Sequence, residues 1–364
     1  MLKKVFEGEI ENLQILDENG NIDASLLPSS ITDELAIQMY KYMSFARALD
    51  AKTLSLQRQG RAVTYAPLVG EEATQIGSAL AMRKNDLFVP NFRQHGVYLV
   101  RGLPLELYFI YWRGFEEGGA IPEGVNGFPV IVPVGSQVPH AVGIAFAQKY
   151  KKTGNAVVTY VGDGGTSEGD FYEAINFAGV FKVPLVVLIE NNQWAISVPR
   201  EKQSAAGTLA QKAFAAGIKG LQVDGNDVFA VYKAVSDAIA GVAAGDGPAL
   251  IECVTYRMSM HTTADDPAKY RKDEEVEAWK KKDPIARLRK YLAAKGLWDD
   301  AKEQEMEAQQ STEINDAVKK AEEFKADPTS MFKHVYSFIP EVLDDELQES
   351  IANNFWQESA APNE

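Results

Sequence analysis

The chain has 364 residues, a formal charge of −14 and an isoelectric point near 4.9. That length holds one large α/β domain with extensions, or two domains, and the acidic balance argues against nucleic acid or an anionic membrane as partner. With no run of about 18 apolar residues, and a Met1-Leu2-Lys3-Lys4 start that passes into acidic residues, the expectation is a soluble, cytoplasmic protein.

Residues 1–34 have weak periodicity and contain Leu27-Pro28-Ser29-Ser30, which reads as an arm leading to a helix. Thr32 with Asp33 and Glu34 has the hydroxyl and the acidic first turn of a helix start, and the apolar density of 35–58 implies burial on more than one side. Arg58-Gln59-Gly60-Arg61 to Gly70-Glu71-Glu72 reads as a loop with a helix after it. Asp86-Leu87-Phe88-Val89-Pro90 is a short strand entering Asn91-Phe92-Arg93-Gln94-His95-Gly96, and 114–127 is a glycine-rich surface loop long enough to be functional.

After Pro129-Val130-Ile131-Val132-Pro133-Val134 comes a helix over 137–151. The runs 156–161 and 183–189 are aliphatic and β-branched without alternation, which suits strands covered on both faces. Between them Phe171, Ala174, Ile175, Ala178 and Phe181 fall at helical spacing, with Gly and Asp as a cap at the start. A strand over 218–223 leads through Asp224-Gly225-Asn226-Asp227 to a helix over 228–244 and a strand over 249–256. This alternation specifies a doubly wound parallel α/β sheet. From Asp265 the chain is charged and helical, with 287–297 and 303–324 as candidate helices. The expected division is an arm at 1–34, an α/β domain at 35–270, and a helical extension making subunit contacts at 271–364.

The chemistry concentrates at two strand ends. The first strand runs into Gly162-Asp163-Gly164-Gly165 and the second into Asn191-Asn192. In an open parallel sheet ligands sit beyond the carboxyl ends of the strands, where helix N-termini also point free amides. The glycines allow backbone to approach phosphate, Asp163 supplies a hard oxygen, and the Asn192 amide oxygen with a nearby carbonyl completes a magnesium-diphosphate clamp. Each element alone is a common turn; the pair, with a helix between, is the stronger signal.

Other chemistries lack their residues. There is no Cys pair, no His-Glu-x-x-His, and no Gly-x-Gly-x-x-Gly after a strand. The lone Cys253 lies in a strand-like run and reads as a core thiol. Histidines occur only at 95, 140, 261 and 334.

The Gly-Asp-Gly and Asn-Asn pair resembles the thiamine diphosphate signature. With Arg58-Gln59-Gly60-Arg61, Tyr65-Ala66-Pro67, Gly70-Glu71-Glu72, Ile121-Pro122-Glu123-Gly124, Gly135-Ser136-Gln137 and the stretch 256–271, the chain resembles the alpha subunits of the decarboxylating component of 2-oxo acid dehydrogenase complexes. The resemblance covers most of 30–340 and implies the thiamine diphosphate-binding fold. It makes Asp163, Asn192 and the Trp194 carbonyl magnesium ligands, and sets Gly162, Gly164 and Gly165 against the diphosphate. Arg93 matches an arginine near the phosphates, its other reading being a surface salt bridge. Phe92 stands where the family has Tyr, so a hydroxyl contact to phosphate is missing. Val132 and Val134 align with residues whose backbone contacts the aminopyrimidine, and Ser136 replaces a more usual Ala. His261 matches the active-site loop histidine, a proton donor or relay that also counts as cofactor-binding; Thr262, Thr263 and Asp266 suggest a loop mobile until cofactor binds. His95 is a second catalytic candidate beside a structural reading, while His140 and His334 read as structural.

The resemblance further implies oxidative decarboxylation of a 2-oxo acid and transfer of the acyl group to a lipoyl group on a partner acyltransferase. It implies an active site completed by a glutamate of a beta subunit, in a heterotetramer of two alpha and two beta chains. Tyr65-Ala66-Pro67 and 121–127 resemble members acting on pyruvate, with branched-chain 2-oxo acid and acetoin dehydrogenases as alternatives and a non-catalytic assembly subunit as the distant one.

Overall fold

A computed structural model of the chain describes residues 1–353, so the part of the expected extension at 354–364 lies outside the described residues. Six parallel strands form one sheet: β1 (Asn12–Leu13), β2 (Leu87–Val89), β3 (Val157–Gly162), β4 (Leu185–Asn191), β5 (Lys219–Asp224) and β6 (Ala249–Val254), in the order β1-β5-β6-β4-β3-β2. The main helices are α1 (Asp33–Arg58), α2 (Glu72–Ala81), α3 (His95–Arg101), α4 (Leu105–Trp112), α5 (Gln137–Tyr150), α6 (Gly169–Phe181), α7 (Val228–Ala244), α8 (Asp273–Lys280), α9 (Pro284–Ala294), α10 (Asp300–Glu323) and α11 (Glu341–Ala352).

The unbroken apolar runs are explained by the two faces of the sheet. Val157, Val161, Leu185, Val187 and Ile189 pack with Ala141, Ala145, Phe171 and Ile175 of α5 and α6. Their neighbours Val158, Tyr160, Val186 and Leu188 point the other way, onto Ala79 of α2 and Val231 and Ala234 of α7. Both sets are buried, so period-two alternation has no polar partner to reveal it. Cys253 is buried in the second set, as a core thiol.

Several boundaries move for physical reasons. Residues 12–13 of the arm pair with Gln222 and Val223, and Ile15 and Leu16 share a core with α1 and α9, so part of the arm is stitched into the sheet and the core beside it. Asp227 secures this junction: its carboxylate caps α7 and accepts from the Ile15 and Leu16 amides at 2.6 and 2.7 Å. Helices α9 and α10 begin about one turn before Arg287 and Glu303, the expected starts, because Asp283 and Asp299 cap them with their carboxylates. The expected Gly-Asp cap of α6 does not form; Glu168 occupies the N-cap without a side-chain bond. No helix among the described residues is long and apolar enough to cross a membrane.

Candidate active site at the carboxyl ends of two strands

Register brings the two motifs together. Gly162 pairs with Glu190 across β3 and β4, so Asp163 and Asn192 leave adjacent strands at the same edge. Both line a cavity of about 260 Å³ with Gly162, Gly164, Gly165, Phe92, Arg93, Val134, Trp194 and His261. Ten of the twelve expected site residues are thus gathered there.

The other two are not. Val132 lines an adjoining groove shared with Phe92 and Thr262, and Ile131 faces the cavity instead. His95 is buried away from the cavity, its Nε2–H donating to the Ala66 carbonyl at 2.9 Å and its ring stacked on Tyr65. Burial drives its pKa down to about 3, so the ring is neutral and its geometry is that of a structural histidine.

Asp163 is only 1% exposed, and its Oδ2 has no hydrogen-bond partner. Burial pushes its pKa up to about 7. A buried acceptor without a donor costs free energy that a cation would return. Among the described residues no group of three or more His, Cys, Asp or Glu is placed to hold a metal. A cation here therefore needs oxygens from elsewhere, which suits magnesium bound by few protein groups and by phosphate. The space next to Gly162 is open, as a phosphate approach requires.

Asn192 lies 2.7 Å from Glu71 through its Nδ2, while its Oδ1 accepts the Trp194 amide at 3.2 Å. Trp194 is presented by a short hairpin in which Gln193 and Ile196 both adopt positive φ, at 73° and 56°. For Ile, a β-branched residue, this is strained backbone of the kind that persists where surrounding structure enforces it. The Trp194 carbonyl accepts from Arg257 Nη1 at 3.0 Å, which leaves one lone pair for a cation.

Arg93 is buried, not a surface salt bridge: it donates to the Pro67 carbonyl and to the His261 carbonyl, the latter at 3.1 Å. Its Nε is 3.8 Å from Glu71. Arg257, held beside Asn192 by its own backbone bond to the Asn192 carbonyl at 3.1 Å, adds a second buried guanidinium. His261 is half-buried, its amide donating to Asp265 at 2.8 Å, and the loop is tied to Tyr65 by Thr263 through two bonds of 2.8 and 3.0 Å. Burial, then Arg93 and Arg257, lower the His261 pKa to about 3.

Sequence reasoning missed Glu71, Glu190 and Arg257 as site residues. Glu190 is a buried carboxyl on the cavity wall, with Oε1 unpartnered and Oε2 bonded to Gln94; burial and the nearby Glu71 raise its pKa. A glutamate inside the apolar run before Asn191-Asn192 was the available signal. Glu71 and Arg257 carry no such signal, since only the fold brings them to the same edge.

Comparison with known proteins identifies the family. The family model described as dehydrogenase E1 component matches residues 40–330. The pyruvate dehydrogenase E1 component subunit alpha of Staphylococcus aureus strain Mu50 is 44% identical over 344 residues, 94% of this chain and 93% of that protein. The protein of the same name from Staphylococcus epidermidis is 43% identical over the same share of both chains.

Proposed function

The chain belongs to the dehydrogenase E1 component family, and on that premise we propose that it is the alpha subunit of a pyruvate dehydrogenase that uses thiamine diphosphate and magnesium and works in the cytoplasm. The observation that carries the reading is the buried, unpartnered Asp163 oxygen at the strand edge that also holds Asn192. Asp163, the Asn192 oxygen and the Trp194 carbonyl would hold the cation. Gly162, Gly164 and Gly165 give backbone access to the diphosphate, and Arg93 supplies fixed positive charge beside it. When bound, thiamine diphosphate supplies a carbon nucleophile and an electron sink for loss of carbon dioxide from a 2-oxo acid.

The chain's own groups orient and exclude water. Phe92, Ile131, Val134 and Ile196 give the cavity apolar walls, which strengthen each polar contact inside. His261 meets Arg93 through Nδ1 at 3.2 Å, and a guanidinium only donates, so the ring proton sits on Nε2. That N–H can donate to an oxygen on which charge develops.

The proton-accepting carboxylate beside the aminopyrimidine comes, in this reading, from a partner beta subunit in a heterotetramer of two alpha and two beta chains. The acetyl group then passes to a lipoyl group on the acyltransferase of the complex. Purified alone, the chain is expected to show no oxidative decarboxylation, and mixing with the beta subunit to restore it. Turnover by the isolated chain contradicts the shared site. In the reconstituted assembly a panel of pyruvate, branched-chain 2-oxo acids and acetoin tests the substrate; preference for a branched acid or acetoin overturns pyruvate.

A further inference from the structure

We infer that Glu71 is a positioning residue for the cation site: its carboxyl group fixes the Asn192 carboxamide so that the oxygen is the end left for a metal. The inference rests on the magnesium and thiamine diphosphate reading above. Asn192 Nδ2 only donates, and Glu71 Oε1, 2.7 Å away, accepts. On the other side the Trp194 amide donates to Asn192 Oδ1 at 3.2 Å. Turning the carboxamide over would set its oxygen against the Glu71 oxygen and its NH2 against the Trp194 N–H, two repulsive contacts in place of two bonds. A cation binds only the oxygen, so the hydrogen bond selects the competent orientation before metal arrives.

Glu71 is itself held. It is 1% exposed, it follows Gly70 at φ 108°, and a Cβ on Gly70 would come within 2.0 Å of the Tyr256 carbonyl. Only glycine brings the start of α2 this close to the chain leaving β6. The same Oε1 lies 3.8 Å from Arg93 Nε, so one carboxyl oxygen links the cation ligand to the guanidinium that would face the phosphates. Its sequence neighbour Glu72 turns elsewhere, pairing with Arg47 at 2.7 Å and accepting the Gly70 amide at 2.9 Å. The two adjacent glutamates therefore have separate tasks.

The test uses the full chain assembled with its beta subunit, saturated with thiamine diphosphate, and Mg2+ as titrant in calorimetry. Glu71→Ala is expected to weaken Mg2+ binding by ~10–100-fold, the usual effect of losing a partner that orients a ligand. Glu71→Gln keeps an acceptor oxygen and is expected to stay near wild type. Wild-type Mg2+ affinity in Glu71→Ala, or equal loss in both variants, overturns the inference. Asp163→Asn separates the underlying reading: retained metal-dependent cofactor binding there sinks the site assignment, whereas its loss together with wild-type binding by Glu71→Ala sinks only the role of Glu71. Should Glu71→Ala not fold, a crystal structure of the loaded wild type decides; Glu71 hydrogen-bonded to Asn192 Nδ2 supports the inference and Glu71 turned away overturns it.

Discussion

Arg93 holds His261 at two points, donating from Nη2 to its carbonyl at 3.1 Å and lying 3.2 Å from its Nδ1. The arginine therefore sets both where the loop sits and how the imidazole is protonated. A second guanidinium, Arg257, lies 3.5 Å from the same ring nitrogen. Two cations beside a half-buried ring leave the imidazolium unfavourable.

This has a direct test in the cofactor-free protein. Nuclear magnetic resonance titration should show His261 neutral from pH 8 down to 5, because its pKa lies near 3. Arg93→Gln removes one cause and should move the pKa upward. A wild-type ring that titrates near the ordinary 6.5 would contradict the arrangement.

Asp163 exposes a conflict between stability and binding. Its buried oxygen has no partner, so Asp163→Asn should leave the metal-free chain as stable as wild type, or more stable, in urea denaturation. The same change removes the charge from the proposed cation site, and Mg2+-dependent cofactor affinity should fall by more than the ~10–100-fold typical of an outer partner. Loss of stability without loss of affinity would reverse the assignment.

His95 predicts an acid-sensitive term in stability. Its pKa is about 3 in the fold against an ordinary 6.5, so between those values the unfolded chain binds a proton that the folded chain does not. Stability therefore rises with pH across that window and is lost as pH falls from 6.5 toward 3. At pH 5 the difference amounts to about 2 kcal/mol. His95→Gln carries no such proton, so the stability advantage of wild type over this variant should shrink by that amount between pH 7.5 and 5. A gap that stays constant would mean the ring titrates normally.

The glycines of the first motif divide by what surrounds them. A Cβ on Gly165 would lie 2.6 Å from Val161 Cγ2, and Gly165→Ala should cost ~1–3 kcal/mol by overpacking. Gly162 has nothing within 4 Å, so Gly162→Ala should leave urea stability unchanged while narrowing the cavity and weakening cofactor binding. Equal destabilisation by both would show that the space beside Gly162 is not open.

Much of the fold was legible because burial on two faces leaves a simple mark. Continuous aliphatic runs marked β3 and β4, and Thr32 with its acidic first turn marked the start of α1, whose hydroxyl accepts the Leu35 amide at 3.3 Å. The caps of α9 and α10 escaped because an Asp ahead of a charged helix resembles any other surface acid. The short β1 escaped because two residues have no periodicity.

What the sequence alone determined is the chemistry available: a carboxylate, a carboxamide and glycines following runs that could only be buried strands, since motif spacing and apolar patterning are local properties of the chain. Tertiary structure decided which distant side chains surround them. Glu71 and Arg257 lie 121 and 65 positions from Asn192, and no local pattern couples such separations. Strand register and the close passage of α2 past the end of β6 do, because backbone hydrogen bonding and close packing admit a single alignment in which both faces of the sheet are covered.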